Sequence, residues 1–323
     1  MTSMWMKRGN EPVYVGMDIG GTNLKAGLVS ENGVLLSRVQ ETGNPSETPE
    51  EFASHLCALA LRAARLGGAA PEEIQAVGMG FPGAVEGGTI LYTANLPLKN
   101  VPLTALFQRS LDVPVFLGND ADCAALGEYW QGAGRNTRSL LVITLGTGIG
   151  AGLILDGKLY CGMGFAGEVG HMAVEKDGLP CECGRKGCWE VYASATGLKR
   201  MTRQSMDLYP DSLMWTLAKN GKPSGRTAFQ AAQLGDEAAR TVCAAYISYL
   251  AAGITNLVNI LHPEVLAIGG GISNEREEAL LGPVREIVER ECYPRHGGIL
   301  TRIVKAQLGN DAGILGAAAL CKA

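Results

Sequence analysis

Asp18-Ile19-Gly20-Gly21-Thr22-Asn23-Leu24-Lys25 lies between two apolar runs, Val13 to Asp18 and Leu24 to Val29. Two β-prone runs joined by a glycine-containing turn predict a hairpin. A second stretch repeats the pattern: Leu140 to Leu145 and Ala151 to Leu155 flank Gly146-Thr147-Gly148-Ile149-Gly150. Working outward, further strands are expected at Ile74 to Gly80, Val113 to Leu117, Val265 to Ile268 and near 299–306. Between them fall helices. Thr48-Pro49-Glu50-Glu51 offers an N-cap, a proline at the first helical position and a capping-box Glu. Phe52, Leu56, Leu59, Ala63 and Leu66 then form one apolar face that ends at Gly67-Gly68. Helices are also expected at Ala121 to Trp130, over much of 194–260, near 275–290 and from Asp311. Alternation of strands with helices makes the class α/β.

Glycine at both hairpin turns lets backbone approach a ligand closely, and successive N–H groups there form a concave anion site. An Asp entering the turn can hold a metal-bound water, and Thr adds a hydroxyl donor. Two ordinary tight hairpins would look the same one at a time. Their pairing, with a third glycine cluster at Gly269-Gly270-Gly271 after a β-branched run, favours a nucleotide site. The rival phosphate motifs fail. Gly78 to Gly83, Gly146 to Ala151 and Gly162 to Gly167 all fit the dinucleotide spacing, but none leads into a helix. Gly157-Lys158 and Gly221-Lys222 are followed by Leu and Pro, so the Walker pattern is missing. Gly78-Met-Gly-Phe-Pro-Gly83 and Gly162-Met-Gly-Phe-Ala-Gly167 echo each other, without a fixed-period repeat.

The 323 residues suit about two domains of ~150. A formal net charge of −4 argues against nucleic acid or an anionic membrane as partner. Glycine, 44 residues, is about twice the usual ~7%, with no collagen period, so its work must be local. Met1 to Pro12 lacks the apolar run of a secretory signal. Val242 to Leu261 is uncharged and long enough to span a bilayer, but Ser248, Thr255, Asn256 and Asn259 make it a buried core helix instead. Nine cysteines, with no secretion signal, read as reduced thiols of a cytoplasmic protein.

Six motifs in order carry a resemblance. They are Asp18 to Lys25, Gly80-Phe-Pro-Gly83, Asn119-Asp-Ala-Asp-Cys-Ala-Ala-Leu-Gly-Glu128, Gly164-Phe-Ala-Gly-Glu-Val-Gly-His171, Cys181-Glu-Cys-Gly-Arg-Lys-Gly-Cys-Trp-Glu190 and Ile268-Gly-Gly-Gly-Ile272. From about residue 13 to 320 the chain resembles the ROK family (repressors, open reading frames, kinases), in its bacterial glucokinase-type branch. The resemblance implies an actin-like ATPase (ribonuclease H-like) fold with two α/β lobes and a cleft between them. The expected small lobe is 1–118, completed by a C-terminal helix at about 308–323, and the large lobe is 119–307. The implied activity is ATP-dependent phosphorylation of a hexose, glucose first, with N-acetylmannosamine, N-acetylglucosamine or allose as alternatives. The implied state is a cytoplasmic homodimer, with 194–260 as the expected contact surface. Repressors of the family carry a helix-turn-helix domain ahead of the Asp18 motif, whereas 17 residues precede Asp18 here.

Each site residue has a chemical reading beside the implied one. Asp120, at a strand end, is placed either as base for a sugar hydroxyl or as N-cap of the next helix. The resemblance implies the base, with Asn119 on a sugar hydroxyl. Asp122 departs from the family, which has Asn there. Asp18, Gly20, Gly21, Thr22, Asn23, Lys25, Gly146, Thr147 and Gly148 would hold ATP with Mg2+. Gly270 and Gly271 would flank adenine, together with a turn at Gly313. Cys181-x-Cys183-x4-Cys188, with His171 ten residues earlier, supplies a nitrogen and three sulfurs, the closed set of a structural Zn2+. Unrelated buried thiols are the alternative. The resemblance implies that His171 gives one ring nitrogen to zinc and turns the other to the sugar. Glu168, Glu190, Asn95 and Gly83 complete the implied sugar contacts.

Overall fold

The first hairpin forms as expected, and its register explains its ends. β1 (Val13–Ile19) is buried along almost its whole length, as a central strand should be, and pairs antiparallel with β2 (Asn23–Ser30) so that Asp18 faces Lys25. The computed structural model describes residues 11–20, 23–44, 46–93 and 96–322. These fall into two units. One comprises Met1–Gly132, Gly162–Gly164 and Asn310–Ala323, and the other Ala133–Cys161 and Phe165–Gly309.

In the first unit, β3 (Val39–Thr42) follows β2, and α1 (Pro49–Leu66) begins with the expected capping box. The Thr48 hydroxyl accepts from the Glu51 N–H at 3.3 Å, while the Glu51 carboxylate accepts from the Thr48 N–H at 2.8 Å. β4 (Ile74–Phe81) returns parallel to β1. A small side sheet of β5 (Gly83–Glu86), β6 (Thr89–Thr93) and β7 (Lys99–Val101) leads to α2 (Leu103–Gln108). β8 (Val115–Asn119) then runs directly into α3 (Asp120–Gln131). The main sheet order is β3-β2-β1-β4-β8.

The second unit repeats that order. β9 (Leu140–Leu145), β10 (Ile149–Leu155) and β11 (Lys158–Leu159) form its antiparallel part. Helices α4 (Trp189–Ala193), α5 (Ala195–Leu208), α6 (Leu213–Leu217), α7 (Thr227–Gln233) and α8 (Glu237–Leu261) follow. β12 (Val265–Gly269), α9 (Leu281–Glu291) and β13 (Arg302–Lys305) complete the sheet in the order β11-β10-β9-β12-β13. In each sheet the first strand is central. It is antiparallel to the second and parallel to the fourth. This duplicated arrangement is the actin-like ATPase fold, and the two glycine hairpins occupy the same position in it. The Gly78 and Gly162 echo marks no such equivalence: one ends a fourth strand, the other follows a third.

α8 carries the stretch long and apolar enough to cross a membrane, but most of that stretch is buried in its own unit. Trp189, fully buried, lies so close to Gly253 of α8 that a Cβ there would sit 2.1 Å from the indole ring. The indole N–H donates to the Tyr249 carbonyl at 2.8 Å. It is a core helix, as its polar residues predicted.

The chain then returns to the first unit as α10 (Ala312–Leu320). α10 packs backbone to backbone: a Cβ on Gly316 would lie 1.5 Å from the Cys123 carbonyl of α3, and one on Gly16 of β1 1.9 Å from the Ile314 carbonyl. That contact moves the expected boundary. Instead of ending at 118, the first unit keeps α3 and runs to Gly132, because α3 and α10 are each other's main neighbours. Gly313 is likewise corrected. It belongs to α10 rather than a turn, and its bare Cα accommodates the Asp18 side chain, whose Cγ would be 2.8 Å from a Cβ.

Candidate active site

In the first unit three carboxylates, Asp18, Asp120 and Asp122, lie near the end of β1 and in the first turn of α3. Asp18 closes β1, and its Oδ2 pairs with Lys25 Nζ at 2.7 Å, each side chain about one fifth exposed. Lys25, expected on phosphate, is therefore held by Asp18. Asn119, rather than Asp120, caps α3: its Oδ1 accepts from the Ala121 and Asp122 N–H groups at 2.8 and 3.3 Å. Its Nδ2 donates to the Gly83 carbonyl at 3.1 Å, leaving one N–H for a ligand. Gly83 itself has φ +145°, and a Cβ would strike the Tyr92 carbonyl at 2.1 Å. The cap role is thus taken by Asn119, and the Asp120 carboxylate accepts from the Ala121 N–H at 2.9 Å and from its own backbone N–H.

Burial pushes the Asp120 carboxyl up to about 6, and the neighbouring charges of Asp18 and Asp122 push the same way, against the Ala121 N–H. A carboxylate poised there is ionised at neutral pH yet basic enough to take a hydroxyl proton. Asp122, the departure from the family pattern, is buried in the first turn of α3, where the helix N-terminus favours negative charge. The helix start is secured by Asn119 regardless.

Each hairpin spends one N–H on itself. Gly20 donates to the Asn23 carbonyl at 2.9 Å and Gly146 to the Gly148 carbonyl at 3.1 Å. The Gly20 and Gly146 N–H groups, both expected on phosphate, are thus bonded within their own turns. Gly21, Thr22 and Asn95 lie outside the described residues. Gly270 has φ +87° and packs on Leu145 at the base of the second hairpin, where a Cβ would lie 2.3 Å from the Leu145 carbonyl. Gly271, beside it, opens a 3-10 turn and faces free space.

The other acids and the cysteines come together in the second unit. One candidate ligand atom each from His171, Cys181, Cys183 and Cys188 lie within 4.8 Å of one another. Cys183 and Cys188 sulfurs are 3.6 Å apart, and the Cys181 sulfur is 3.7 Å from His171 Nδ1. Tetrahedral zinc with Zn–S of ~2.3 Å requires sulfur–sulfur edges of ~3.7 Å, so the donor set fits the ion. The Arg185 N–H holds the exposed Cys183 thiol down to about 7. His171 Nδ1 faces this cluster, while Nε2 lies 3.8 Å from Glu168 Oε2. One ring nitrogen thus faces the sulfurs and the other faces Glu168.

Glu190, in the first turn of α4, is 3.5 Å from His171 Nδ1 and accepts from the Cys181 thiol at 3.3 Å through Oε1. Through Oε2 it accepts from the Ile149 N–H at 3.4 Å. Two contributors escaped the sequence reading. Tyr192 accepts the Leu179 N–H at 2.7 Å and stacks on Tyr249 at 4.4 Å, fixing the cysteine loop to α8. The Ala195 N–H holds the Gly146 carbonyl at 2.9 Å. A backbone donor carries no sequence signal, although Ser194, which caps α5, marks the place.

The ROK family profile matches residues 14–323. A glucokinase of Thermotoga maritima is 38% identical over 313 residues, 95% of this chain and 96% of that protein. One from Halalkalibacterium halodurans is 36% identical over 317 residues, 96% of this chain and 94% of its own. Among solved structures, the ROK glucokinase of Streptomyces griseus in complex with glucose and AMPPNP is similar at a TM-score of 0.79. It shares 35% identity, with 96% of this chain and 99% of that one covered. Topology, motif order and whole-length similarity agree: the chain belongs to the ROK family.

Proposed function

We propose that the protein is an ATP-dependent hexose kinase that phosphorylates glucose at its primary hydroxyl. The observation that carries this is Asp120, a half-buried carboxylate raised to about 6 beside Asn119 in a fold with two glycine hairpins. Asp120 takes the hydroxyl proton as the sugar oxygen attacks the γ-phosphorus, and the bond to the ADP oxygen breaks. Asn119, Glu168, His171 and Glu190 bind and orient the sugar, and Gly83 and Asn95 are assigned to it as well. The hairpin N–H groups of Thr147 and Gly148 stabilise charge on the phosphates. Asp18, Gly21, Thr22 and Asn23 serve the nucleotide end, and Gly270 and Gly271 the adenine. Mg2+ supplies charge neutralisation on the phosphates, and Asp18 is the residue set to hold its water. Zn2+ held by His171, Cys181, Cys183 and Cys188 supplies rigidity, fixing the tautomer and aim of His171.

The test is a coupled ADP-release assay on purified protein with a panel of about ten sugars. Glucose should give the highest kcat/KM. Preference for an N-acetylated hexose or allose would reassign the substrate, and absence of phosphosugar with every sugar would refute the activity. The same reading includes a homodimer assembled through the helical segment 194–260, which sedimentation analysis would test.

A further inference from the structure

We infer that Glu190 is a positioning residue for the nucleotide hairpin as well as a sugar ligand, linking the cysteine–histidine cluster to phosphate binding. This rests on the kinase reading above. The β9–β10 turn is clamped from one side by a short stretch that follows the last cysteine. Cys188 leads into α4, whose second residue is Glu190, and α4 leads through Ser194 to Ala195. Both ends of that stretch hold the hairpin. The Ala195 N–H takes the Gly146 carbonyl at 2.9 Å, and Glu190 Oε2 accepts the Ile149 N–H at 3.4 Å. Oε1 of the same carboxylate lies 3.3 Å from the Cys181 sulfur and 3.5 Å from His171 Nδ1; with zinc bound that sulfur is a thiolate without a proton to give, so the link then runs through the backbone from Cys188 into α4. One side chain therefore contacts the cluster with one oxygen and the phosphate turn with the other.

Gly148 shows that the approach is close. A Cβ there would stand 2.4 Å from Glu190 Oε2, the end of a flexible side chain, with no backbone atom in its way. Gly148 is also absent from the positive-φ glycines, so its backbone conformation suits alanine. Alanine at 148 therefore pushes the carboxylate away without meeting the cysteines or the sheet itself. The glycine at this position serves the carboxylate as much as the phosphate. The link gives an ordering: a cluster correctly closed on its four donors sets α4, and α4 sets the two N–H groups of Thr147 and Gly148 that face the anion.

The experiment measures ADP and AMPPNP affinity by titration calorimetry, without sugar, on the zinc-loaded full chain. Glu190→Ala should weaken both nucleotides about three- to tenfold, the scale of a long hydrogen bond to a charged acceptor. Glu190→Gln retains an acceptor for the Ile149 N–H. It should restore nucleotide affinity to within about twofold while leaving the glucose KM raised, since one neutral amide replaces one accepting bond but not two. Gly148→Ala should weaken nucleotide with zinc content unchanged. Chelator-stripped protein should weaken to the same degree as Glu190→Ala, with no further loss when the two are combined. Unchanged nucleotide affinity in both Glu190→Ala and Gly148→Ala, with glucose binding lost only in the former, would overturn the link and leave the kinase intact. A wild-type chain that binds ADP but makes no phosphosugar would refute the kinase reading alone. Should Glu190→Ala fail to fold, Glu190→Gln and Gly148→Ala decide the matter.

Discussion

Replacing Asp120 with Asn should cut turnover steeply and at the same time stabilise the protein. The folded state raises this carboxyl from 3.8 to about 6, because burial and the charges of Asp18 and Asp122 disfavour the ionised form. Ionised Asp120 is therefore penalised by folding. The penalty is small below about pH 4, grows as pH rises towards 6 and is constant above it. Two pKa units at ~1.4 kcal/mol each set an upper limit near 3 kcal/mol, and partial solvent contact reduces this to about 1–3 kcal/mol. Asn is nearly isosteric and its Oδ1 can still accept from the Ala121 N–H, so the variant keeps the bond and loses the charge. At ~2–4 °C per kcal/mol, calorimetry at pH 8 should show a Tm about 3–10 °C above wild type, shrinking to a small fraction of that at pH 4. Turnover should fall by about two to four orders of magnitude. The reasoning is refuted if the variant is no more stable at pH 8, or if its gain is the same at both pH values. Retained wild-type turnover would show that Asp120 is not the base.

The acid limb of kcat/KM should lie near pH 6, since Asp120 must be ionised to accept a proton, and activity should be lost as pH falls through that value. Asp122→Asn removes one of the raising charges, so the limb should move to lower pH in a pH–rate profile while kcat on the plateau stays within a few-fold. Metal analysis should find one zinc per chain, and Cys183→Ser should reduce it to a fraction; less than about half an equivalent in intact protein would count against the cluster. Gly316→Ala places a Cβ 1.5 Å from the Cys123 carbonyl, where only backbone movement helps. It should cost about 3 kcal/mol or more in chemical unfolding.

Local chemistry was readable wherever one residue type has one use. The Thr48 box, both hairpins, the core character of α8 and the four metal donors follow from residue identity and spacing, and the structure has them. What was unreadable depends on long-range backbone contact. No spacing rule says that α10 returns to lie on β1 and α3, so neither the boundary at Gly132 nor the helical place of Gly313 could be seen. The cap was ambiguous for a related reason. Asn119 and Asp120 are both good N-caps, and only the strand's exit direction decides that Asn119 turns its oxygen onto α3. β3 and the side sheet were missed because short, half-exposed strands lack a continuous apolar run.

The excess of glycine has two causes, and the second was hidden in sequence. At Gly148 a side chain would displace the Glu190 carboxylate, and at Gly83 a positive φ and a close carbonyl forbid one. Gly16, Gly78, Gly127 and Gly316 do something else. Each would drive a Cβ to within 2.3 Å of a carbonyl across the α10 contact, so they allow a helix to sit on a sheet and on α3 at backbone distance. That contact has a functional consequence. α10 brings Gly313 against Asp18, and α3 begins with Asp120, so the packing that excludes side chains also fixes two acids of the site to one rigid layer. The raised Asp120 pKa depends on that layer, because a looser one would admit water and let the carboxyl fall back towards its ordinary value. Alanine at Gly316 therefore tests the chemistry through the packing. If the folded fraction of that variant shows an acid limb below that of wild type, α10 sets the base as well as the fold. An unshifted limb would confine its role to stability.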